Sequence, residues 1–256
     1  MAEADNPDRL EREARIPQRV LVMMAHPDDI EFGVAGTVAA WTRKGVEVIF
    51  CLITDGAAGS NDPDVNLAEL IRTRQAEQRA AAAVLGVSEV HFLGYPDGTL
   101  EPTLGLRRDL TRLIRRLRPD RVVAQDPATI FVRRGYINHP DHRAAGEAAL
   151  YAVFPSAETR PIFPELLTEG LEPHKVKDLY LALTLEPDTW VDISDTFEDK
   201  IEALVQHRSQ VSEERVRGFV ENFNGENGRV VGVKYAEMFR VMKFYDEEPA
   251  AAEAEA

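Results

Sequence analysis

The chain has 256 residues, 44% of them hydrophobic, which is enough for one sizeable core, and it carries a formal net charge of −14. This acidic balance argues against nucleic acid or an anionic membrane as a partner, and the apolar runs have the length of strands, too short to span a membrane. The single cysteine, Cys51, excludes an intramolecular disulfide and a thiolate zinc cluster, so any metal must be held by histidine and carboxylate side chains.

Strand and helix patterns alternate from residue 18 onward. An apolar run predicts the first strand at Arg19–Met24, and the sequence His-Pro-Asp-Asp follows it. The next patterns predict a helix at Glu31–Lys44, a strand at Val46–Thr54, a helix at Leu67–Leu85, a strand at Glu89–Leu93, a helix at Leu104–Leu117 and a strand at Arg121–Gln125. This alternation predicts an α/β fold with a Rossmann-like, mostly parallel sheet and helices on both faces.

The regularity weakens after residue 126. We expect a loop at Asp126–Asn138, a helix at Asp141–Phe154, irregular structure over Pro155–Pro173, a strand at Asp178–Leu185, a helix at Thr196–His207, a mobile loop at 209–230 and a last segment at Tyr235–Phe244. Long irregular loops are commonly lids, which makes 155–173 and 222–228 candidates. The predicted organisation is an N-terminal extension at 1–17, a single domain with C-terminal elaborations at 18–245, and an acidic disordered tail at 246–256.

Two clusters of polar residues follow predicted strands. His26 and Asp29 lie three residues apart at the start of a helix, which brings their side chains to one side and leaves Asp28 free. The second cluster, His139-Pro140-Asp141-His142, comes after the strand at Arg121–Gln125. Since the carboxyl ends of parallel strands share one edge, His26, Asp29 and one of the two later histidines can converge on a cation. Two histidines and a carboxylate are typical of catalytic zinc, although the same set suits ferrous iron.

A simpler interpretation applies to each cluster alone. A His-Pro-Asp turn is commonly a helix cap, in which the aspartate accepts backbone N–H bonds. Two such clusters at one edge of a sheet favour a metal site, because capping does not require the histidines. The arginines of the helix at Leu104–Leu117 are interpreted as its solvated face and not as a nucleic-acid site. His91, His174 and His207 have no partners at ligand spacing, so we expect ordinary satisfied or exposed histidines.

The segments Ala25–Glu31, Thr54–Gly59 and His139–His142 closely resemble the motifs of the LmbE-like, or PIG-L, family of zinc-dependent de-N-acetylases. The resemblance extends through Arg74–Glu77 and Tyr95–Gly98. It implies a hydrolase that removes the acetyl group from an N-acetylglucosamine-type sugar or glycoconjugate. It also implies one Zn²⁺ per chain, with another divalent ion such as Fe²⁺ as an alternative, and a homo-oligomer such as a trimer or hexamer.

The resemblance implies zinc ligands and a general base. The ligands are His26, Asp29 and His142, and the base is Asp28. This agrees with general chemistry, because zinc lowers the pKa of bound water to about 7 and a nearby carboxylate can take its proton. Glu31 is expected to support the site or to supply negative charge at the helix N-terminus.

The remaining site residues are also assigned through the resemblance. His139 stabilises the tetrahedral intermediate or acts as an acid, oriented by Asp141, whose carboxylate would raise the pKa of His139. Arg74 and Asp97 fall where family members contact sugar hydroxyls or the acyl group. Their simpler interpretations are a helix-surface charge for Arg74 and ordinary turn chemistry for Asp97.

Two other functions stay open on the sequence alone. The same zinc site could serve an amidase that acts on a thiol conjugate or another non-acetyl amide, or the chain could be a metal- or carbohydrate-binding protein without turnover. Asp28 and His139 speak against the second, because binding alone needs no spare base and acid. Since Met1–Asp5 lacks the basic and apolar regions of a signal peptide, we expect a cytoplasmic protein without membrane insertion.

Overall fold

The computed structural model describes residues 10–133 and 135–244. The predicted acidic tail at 246–256 and residues 1–9 of the predicted extension lie outside the described residues. Within the two described ranges, no helix combines the length and apolar character needed to cross a membrane.

The described residues form ten strands and eight α-helices. The strands are β1 (Glu11–Arg12), β2 (Arg19–Met24), β3 (Glu47–Thr54), β4 (Glu89–Tyr95), β5 (Arg121–Gln125), β6 (Phe131–Arg133), β7 (Tyr136–Ile137), β8 (Asp178–Ala182), β9 (Thr189–Asp192) and β10 (Ala236–Lys243). The helices are α1 (Asp29–Gly33), α2 (Ala35–Thr42), α3 (Leu67–Val84), α4 (Leu104–Leu117), α5 (Pro140–Tyr151), α6 (Glu165–Thr168), α7 (Phe197–Leu204) and α8 (Glu213–Val231). Residues Ala152–Ala157 continue from α5 through a kink at Phe154, whose φ −134° and ψ 126° are not helical.

Eight of these strands form one sheet in the order β1-β9-β10-β8-β5-β2-β3-β4. The strands from β8 to β4 in that order are parallel, whereas β10 is antiparallel to both of its neighbours. The predicted mostly parallel α/β sheet is therefore confirmed. The chain moves from β2 to β3 and β4 on one side, and β5 and β8 lie on the other. The edge beside β2 and β5 is thus a topological switch point, where open α/β sheets bind ligands.

The sheet is buried on both faces because its side chains alternate between two cores. Val22 of β2 belongs to the core shared with α2, α3 and α7, whereas Met23 belongs to the core shared with α4 and α5. Both side chains are fully buried. This two-sided burial explains why β2 reads as an unbroken apolar run and confirms the prediction of helices on both faces.

The prediction of a mobile loop at 209–230 is wrong, because Glu213–Val231 is the helix α8. The residues that suggested a loop have packing roles. A methyl group on Gly228 would lie 2.6 Å from the carbonyl oxygen of Val233, and the buried Asn224 donates from Nδ2 to the carbonyl oxygen of Ala236 at 2.9 Å. Tertiary contacts override the low helix propensity of glycine and asparagine here. Segment 222–228 is consequently not an irregular lid.

Three smaller differences have local causes. The helix predicted at Glu31–Lys44 is interrupted at Val34, which has φ −143°, so α1 and α2 are separate. The loop predicted at Asp126–Asn138 contains the hairpin β6–β7. Arg115 does not lie on a solvated face of α4. It is buried and donates to four carbonyl oxygens, those of Ser156, Ala157, Thr159 and Ile162.

Gly146 allows α5 to lie directly against β5. A methyl group at this position would overlap the carbonyl oxygen of Gln125. We expect Gly146→Ala to lower the free energy of unfolding by about 1–3 kcal/mol, because a well-packed contact is overfilled. Chemical denaturation measures the effect.

The matched control for that variant is Gly218→Ala in α8. No atom lies within 4 Å of the methyl position there, so this variant should gain up to about 1 kcal/mol of stability from helix propensity. Equal stability of Gly146→Ala and the wild type would contradict the close contact.

Candidate metal centre

The predicted site residues meet at the carboxyl edge of the sheet. The turn His26–Asp29 follows β2, and Asp97 lies in the turn after β4. His139 immediately precedes α5, whose first turn contains Asp141 and His142. Arg74 reaches the same edge from α3 and is buried.

Asp29 lies between two histidines in a geometry that suits a metal ion. Its Oδ2 is 3.2 Å from Nδ1 of His26, and its Oδ1 is 3.0 Å from Nε2 of His142. In a tetrahedral zinc site with bonds of about 2.0–2.1 Å, neighbouring ligand atoms lie roughly 3.3 Å apart. Each of the two nitrogen–oxygen distances is close to this spacing, with one oxygen of Asp29 facing each histidine.

The other nitrogen of each of these histidines faces an acceptor. Nε2 of His26 lies 3.0 Å from Oδ1 of Asp97, and Nδ1 of His142 lies 3.1 Å from Oδ1 of Asn138. Metal-bound histidines commonly donate their second N–H to such an oxygen, which fixes the ring. Asp29 is likewise held, because its Oδ2 accepts from Nε2 of Gln125 at 3.0 Å. The groups that contact the three proposed ligands thus also suit a bound metal ion.

Two groups of side chains among the described residues place one possible ligand atom each within 4.8 Å of one another, and neither includes Asp29. They are His26, His139 and His142, and His26, Asp97 and Asp141. Nδ1 of His139 is already taken by the backbone N–H of Asp141, at 3.2 Å. Asp141 accepts from the backbone N–H groups of Gly98 and Leu100 at 2.7 and 3.1 Å. The choice of Asp29 over these groups rests on its position between His26 and His142.

The carboxyl group of Asp28 has a pKa close to neutrality. Burial and the charge of Asp29 raise its pKa to about 7, against the opposing effect of Arg74 and His207. Arg74 Nη2 lies 3.3 Å from Asp28 Oδ2. A general base is most effective when its pKa is close to the working pH, so this environment suits proton transfer.

The centre strongly stabilises positive charge. Burial lowers the pKa of His26, but the carboxylates of Asp29, Asp141 and Asp97 outweigh it and raise the pKa to about 12. Burial opposes ionisation of Asp29 too, yet His142 and His26 hold its pKa well below the usual range. The same carboxylates that favour a proton on His26 would favour a metal cation beside it.

Asp141 raises the pKa of His139 as expected, but its effect is outweighed and the pKa of His139 is lowered overall. Burial and the charge of His26 lower the pKa of His139, and the carboxylate of Asp141 only partly opposes them. Asp141 orients His139 through its backbone N–H, which donates to Nδ1 at 3.2 Å, while its Oδ1 lies 3.9 Å from Nδ1. This hydrogen-bond pattern assigns the proton of the neutral ring to Nε2.

Arg74 and Asp97 are both buried against the centre. Arg74 donates to the carbonyl oxygens of Gly56 and Pro27 at 2.9 and 2.7 Å. Asp97 contacts His26, as described, and accepts from the backbone N–H of Ala58 at 3.0 Å. The helix-surface interpretation of Arg74 is therefore wrong, and the assignment of both residues to substrate contact stays a prediction.

The structure adds site residues that the sequence did not reveal. Gln125 accepts from the backbone N–H of Ala25 at 3.1 Å in addition to its bond to Asp29. The sequence signal for Gln125 is a polar residue at the end of a buried strand that reaches this edge. Glu31, which was expected to support the site, forms a fully buried chain with Gln78 and His207, which were not. Gln78 Nε2 donates to Glu31 at 2.7 Å, and His207 Nε2 lies 3.1 Å from Glu31. Nothing in the local sequence pairs these three.

The buried His207–Glu31 pair makes stability depend on pH. Although burial alone lowers it, the pKa of His207 is raised by the hydrogen bond and charge of Glu31. Its contribution is therefore fully present below the unfolded value of about 6.5 and is lost as pH rises through the higher folded value. We expect His207→Gln to cost about 1–3 kcal/mol at pH 6.

The difference from the wild type should shrink as the pH is raised from 6 to 9, measured by urea denaturation at each pH. His91→Gln, which alters an exposed pair with Glu89, is the matched control and should show little change. A difference that grows with pH would contradict the pair.

Comparisons with known proteins agree with this site. Residues 21–153 match the family described as PIG-L, GlcNAc-PI de-N-acetylase. The chain is 34% identical over 230 residues to diacetylchitobiose deacetylase of Thermococcus kodakarensis, covering 87% of this chain and 82% of the relative. It is 31% identical over 199 residues to a probable N-acetyl-alpha-D-glucosaminyl L-malate deacetylase 2 of Bacillus anthracis, covering 75% and 81%. Among solved structures, N,N'-diacetylchitobiose deacetylase from Pyrococcus horikoshii matches with a TM-score of 0.83 and 34% identity, covering 92% of this chain and 88% of that one.

Proposed function

Since this chain belongs to the PIG-L family of GlcNAc-PI de-N-acetylases, we propose that it is a metal-dependent hydrolase that removes the N-acetyl group from an N-acetylglucosamine-type sugar or glycoconjugate. The relatives at 34% and 31% identity are both named as deacetylases. The observation that carries the proposal is Asp28, a spare carboxylate with a pKa near 7, next to the set of His26, Asp29 and His142.

His26, Asp29 and His142 hold the metal ion in this proposal. Two histidines and one carboxylate leave a coordination position open for water or substrate, which distinguishes a catalytic zinc site from a structural one. Zn²⁺ is the proposed ion, and Fe²⁺ is the alternative that the same donors suit. When bound, the ion would lower the pKa of a water molecule towards neutrality and polarise the acyl carbonyl.

Asp28 moves the proton. Near neutral pH a large share of this carboxyl group is ionised, so it can take a proton from the attacking water. The same carboxyl then returns that proton to the sugar nitrogen as the carbon–nitrogen bond breaks. Arg74, 3.3 Å from Asp28 Oδ2, holds the carboxylate in place.

His139 stabilises the oxygen that gains negative charge. Because its Nδ1 accepts from the backbone N–H of Asp141, its Nε2 carries the proton and can donate a hydrogen bond. The low pKa of His139 keeps the ring neutral near pH 7, so it serves as a hydrogen-bond donor in this proposal, and protonation of the ring is not required. Its side chain is 40% exposed, which leaves it accessible to a substrate.

The proposal is tested by hydrolysis of a panel of amides, with released acetate and free amine both measured. The panel contains N-acetylglucosamine, diacetylchitobiose, N-acetylglucosaminyl malate, an N-acetylglucosaminyl inositol and S-conjugated peptide-like amides. Acetate from at least one acetylated sugar is expected. Turnover restricted to the S-conjugated amides would instead assign a thiol-conjugate amidase, and sugar binding without any turnover would assign a non-catalytic protein.

A homo-oligomer, such as a trimer or hexamer, is a further part of the proposal. Exposed apolar side chains on the β6–β7 hairpin, namely Phe131, Tyr136 and Ile137, support an interface there. Light scattering on purified protein measures the assembly.

A further inference from the structure

The turn that carries Asp28 has a conformation that its own sequence does not favour. Asp28 has φ 97° and ψ −25°, and the backbone N–H of Asp29 donates to the carbonyl oxygen of His26 at 3.3 Å. With Pro27 in the second position, this is a type II β-turn over residues 26–29. Its third position requires a positive φ, which suits Gly or Asn better than Asp. Pro-Asp is equally compatible with a type I turn, in which the third residue has φ near −90°.

Two side chains of α3 hold the peptide unit that distinguishes these turn types. Types I and II differ by a flip of the central peptide, here the one between Pro27 and Asp28. Arg74 Nη2 donates to the carbonyl oxygen of Pro27 at 2.7 Å, and the backbone N–H of Asp28 donates to Oε1 of Gln78 at 3.1 Å. Arg74 and Gln78 are four residues apart on α3, so both face the turn. A flipped peptide would lose both bonds.

The amide of Gln78 is itself fixed in one orientation. Its Nε2 donates to Oε1 of Glu31 at 2.7 Å, and Oε2 of Glu31 lies 3.1 Å from Nε2 of His207. A carboxylate only accepts hydrogen bonds, so Nε2 of Gln78 must face Glu31 and Oε1 must face the N–H of Asp28. All three side chains are fully buried, where an unmade hydrogen bond is expensive.

We propose that Gln78 is a positioning residue that, together with Arg74, holds the Pro27–Asp28 peptide in the type II orientation. The held peptide orients the Asp28 carboxylate. A peptide flip moves the amide nitrogen of Asp28 and with it the direction in which the side chain leaves the backbone. In the type II turn, the Pro27 carbonyl oxygen and Asp28 Oδ2 face one donor, Arg74 Nη2, at 2.7 and 3.3 Å. The inference rests on the proposed role of Asp28 as the base.

The test is Gln78→Met, which keeps the length of the side chain and removes both hydrogen-bonding atoms. A crystal structure of the metal-loaded variant should show Asp28 with a negative φ near −90°. Its kcat should fall by about 10–100-fold because the orientation of the Asp28 carboxylate is altered. Its KM should stay within about threefold of wild type, and its metal content should be unchanged. Gln75→Met, on the same helix but outside the Gln78–Glu31–His207 chain, should retain the wild-type turn and kinetics.

The outcomes separate this inference from the proposed function. A type II turn in Gln78→Met would overturn the inference even if the wild type proved to have another activity, because the turn is read from the structure. A wild type that released no acetate from any acetylated sugar, with the turn flipped as expected in Gln78→Met, would overturn the proposed function alone. Should Gln78→Met fail to fold, Gln78→Asn, whose amide is one methylene shorter, is expected to give the same flip.

A double-mutant cycle distinguishes positioning of Asp28 from a general effect of Gln78 on stability. The loss of kcat caused by Gln78→Met should disappear in an Asp28→Asn background, since Gln78 acts through Asp28. An undiminished loss in that background would assign Gln78 a general role in stability and overturn the proposal.

Discussion

Asp28→Asn is expected to lower kcat by about 10²–10⁴-fold while the protein keeps its metal, since this is the range that a positioned general base contributes. Asparagine has nearly the same shape and tolerates a positive φ, so the turn with φ 97° should survive. The amide cannot take a proton from water, however. Steady-state kinetics on metal-loaded protein, with metal content measured on the same samples, gives the result.

Asp199→Asn is the matched control for that variant. Asp199 pairs with Arg43 through Oδ2 at 2.7 Å and has no part in the proposed chemistry. Its kcat should equal that of the wild type. An Asp28→Asn variant with wild-type kcat would remove Asp28 from the mechanism, and one that lost its metal would show that Asp28 serves the metal site instead.

His142→Ala is expected to abolish metal binding and activity together. The substitution removes the nitrogen that lies 3.0 Å from Asp29 Oδ1 and leaves two of the three proposed ligands. Loss of a metal that supplies several kcal/mol of transition-state stabilisation corresponds to at least about 10³-fold in kcat. Metal analysis after dialysis should give close to one ion per wild-type chain and almost none per variant chain.

Asn138→Ala should weaken metal binding less than His142→Ala does. Its Oδ1 faces the other nitrogen of His142 at 3.1 Å, so its loss should weaken metal affinity by about 10–100-fold without abolishing binding. His91→Gln, at a histidine paired with Glu89, should bind metal as the wild type does. Full metal occupancy in His142→Ala would contradict the proposed ligand set.

The sequence predicts best the elements whose signals are local. The bounds predicted for Arg19–Met24, Leu104–Leu117 and Arg121–Gln125 agree with the structure to the residue. Two of these are buried strands with apolar centres, and the third is a helix with a clear apolar stripe. The convergence of the two His-Pro-Asp motifs was predictable as well, because the carboxyl ends of parallel strands share one edge.

Features that depend on distant contacts were not predictable from local sequence. The helix α8 contains Asn224 and Gly228, and only their contacts with the segment at 233–236 explain why these residues are helical. The pairing of Glu31 with His207 joins residues far apart in the chain. The low pKa of His139 follows from burial and from the position of His26, which outweigh the neighbouring Asp141 in a way that sequence order does not reveal.

A metal titration followed by acetate release tests whether one metal ion per chain carries the hydrolysis. Protein stripped with a chelator is reconstituted with increasing Zn²⁺, and in a parallel series with Fe²⁺, and assayed on the best acetylated sugar of the panel. We predict that activity rises in proportion to added metal and stops rising at one ion per chain, because His26, Asp29 and His142 form one site. Undiminished acetate release by metal-free protein, or no release at any metal content, would contradict a metal-dependent deacetylase.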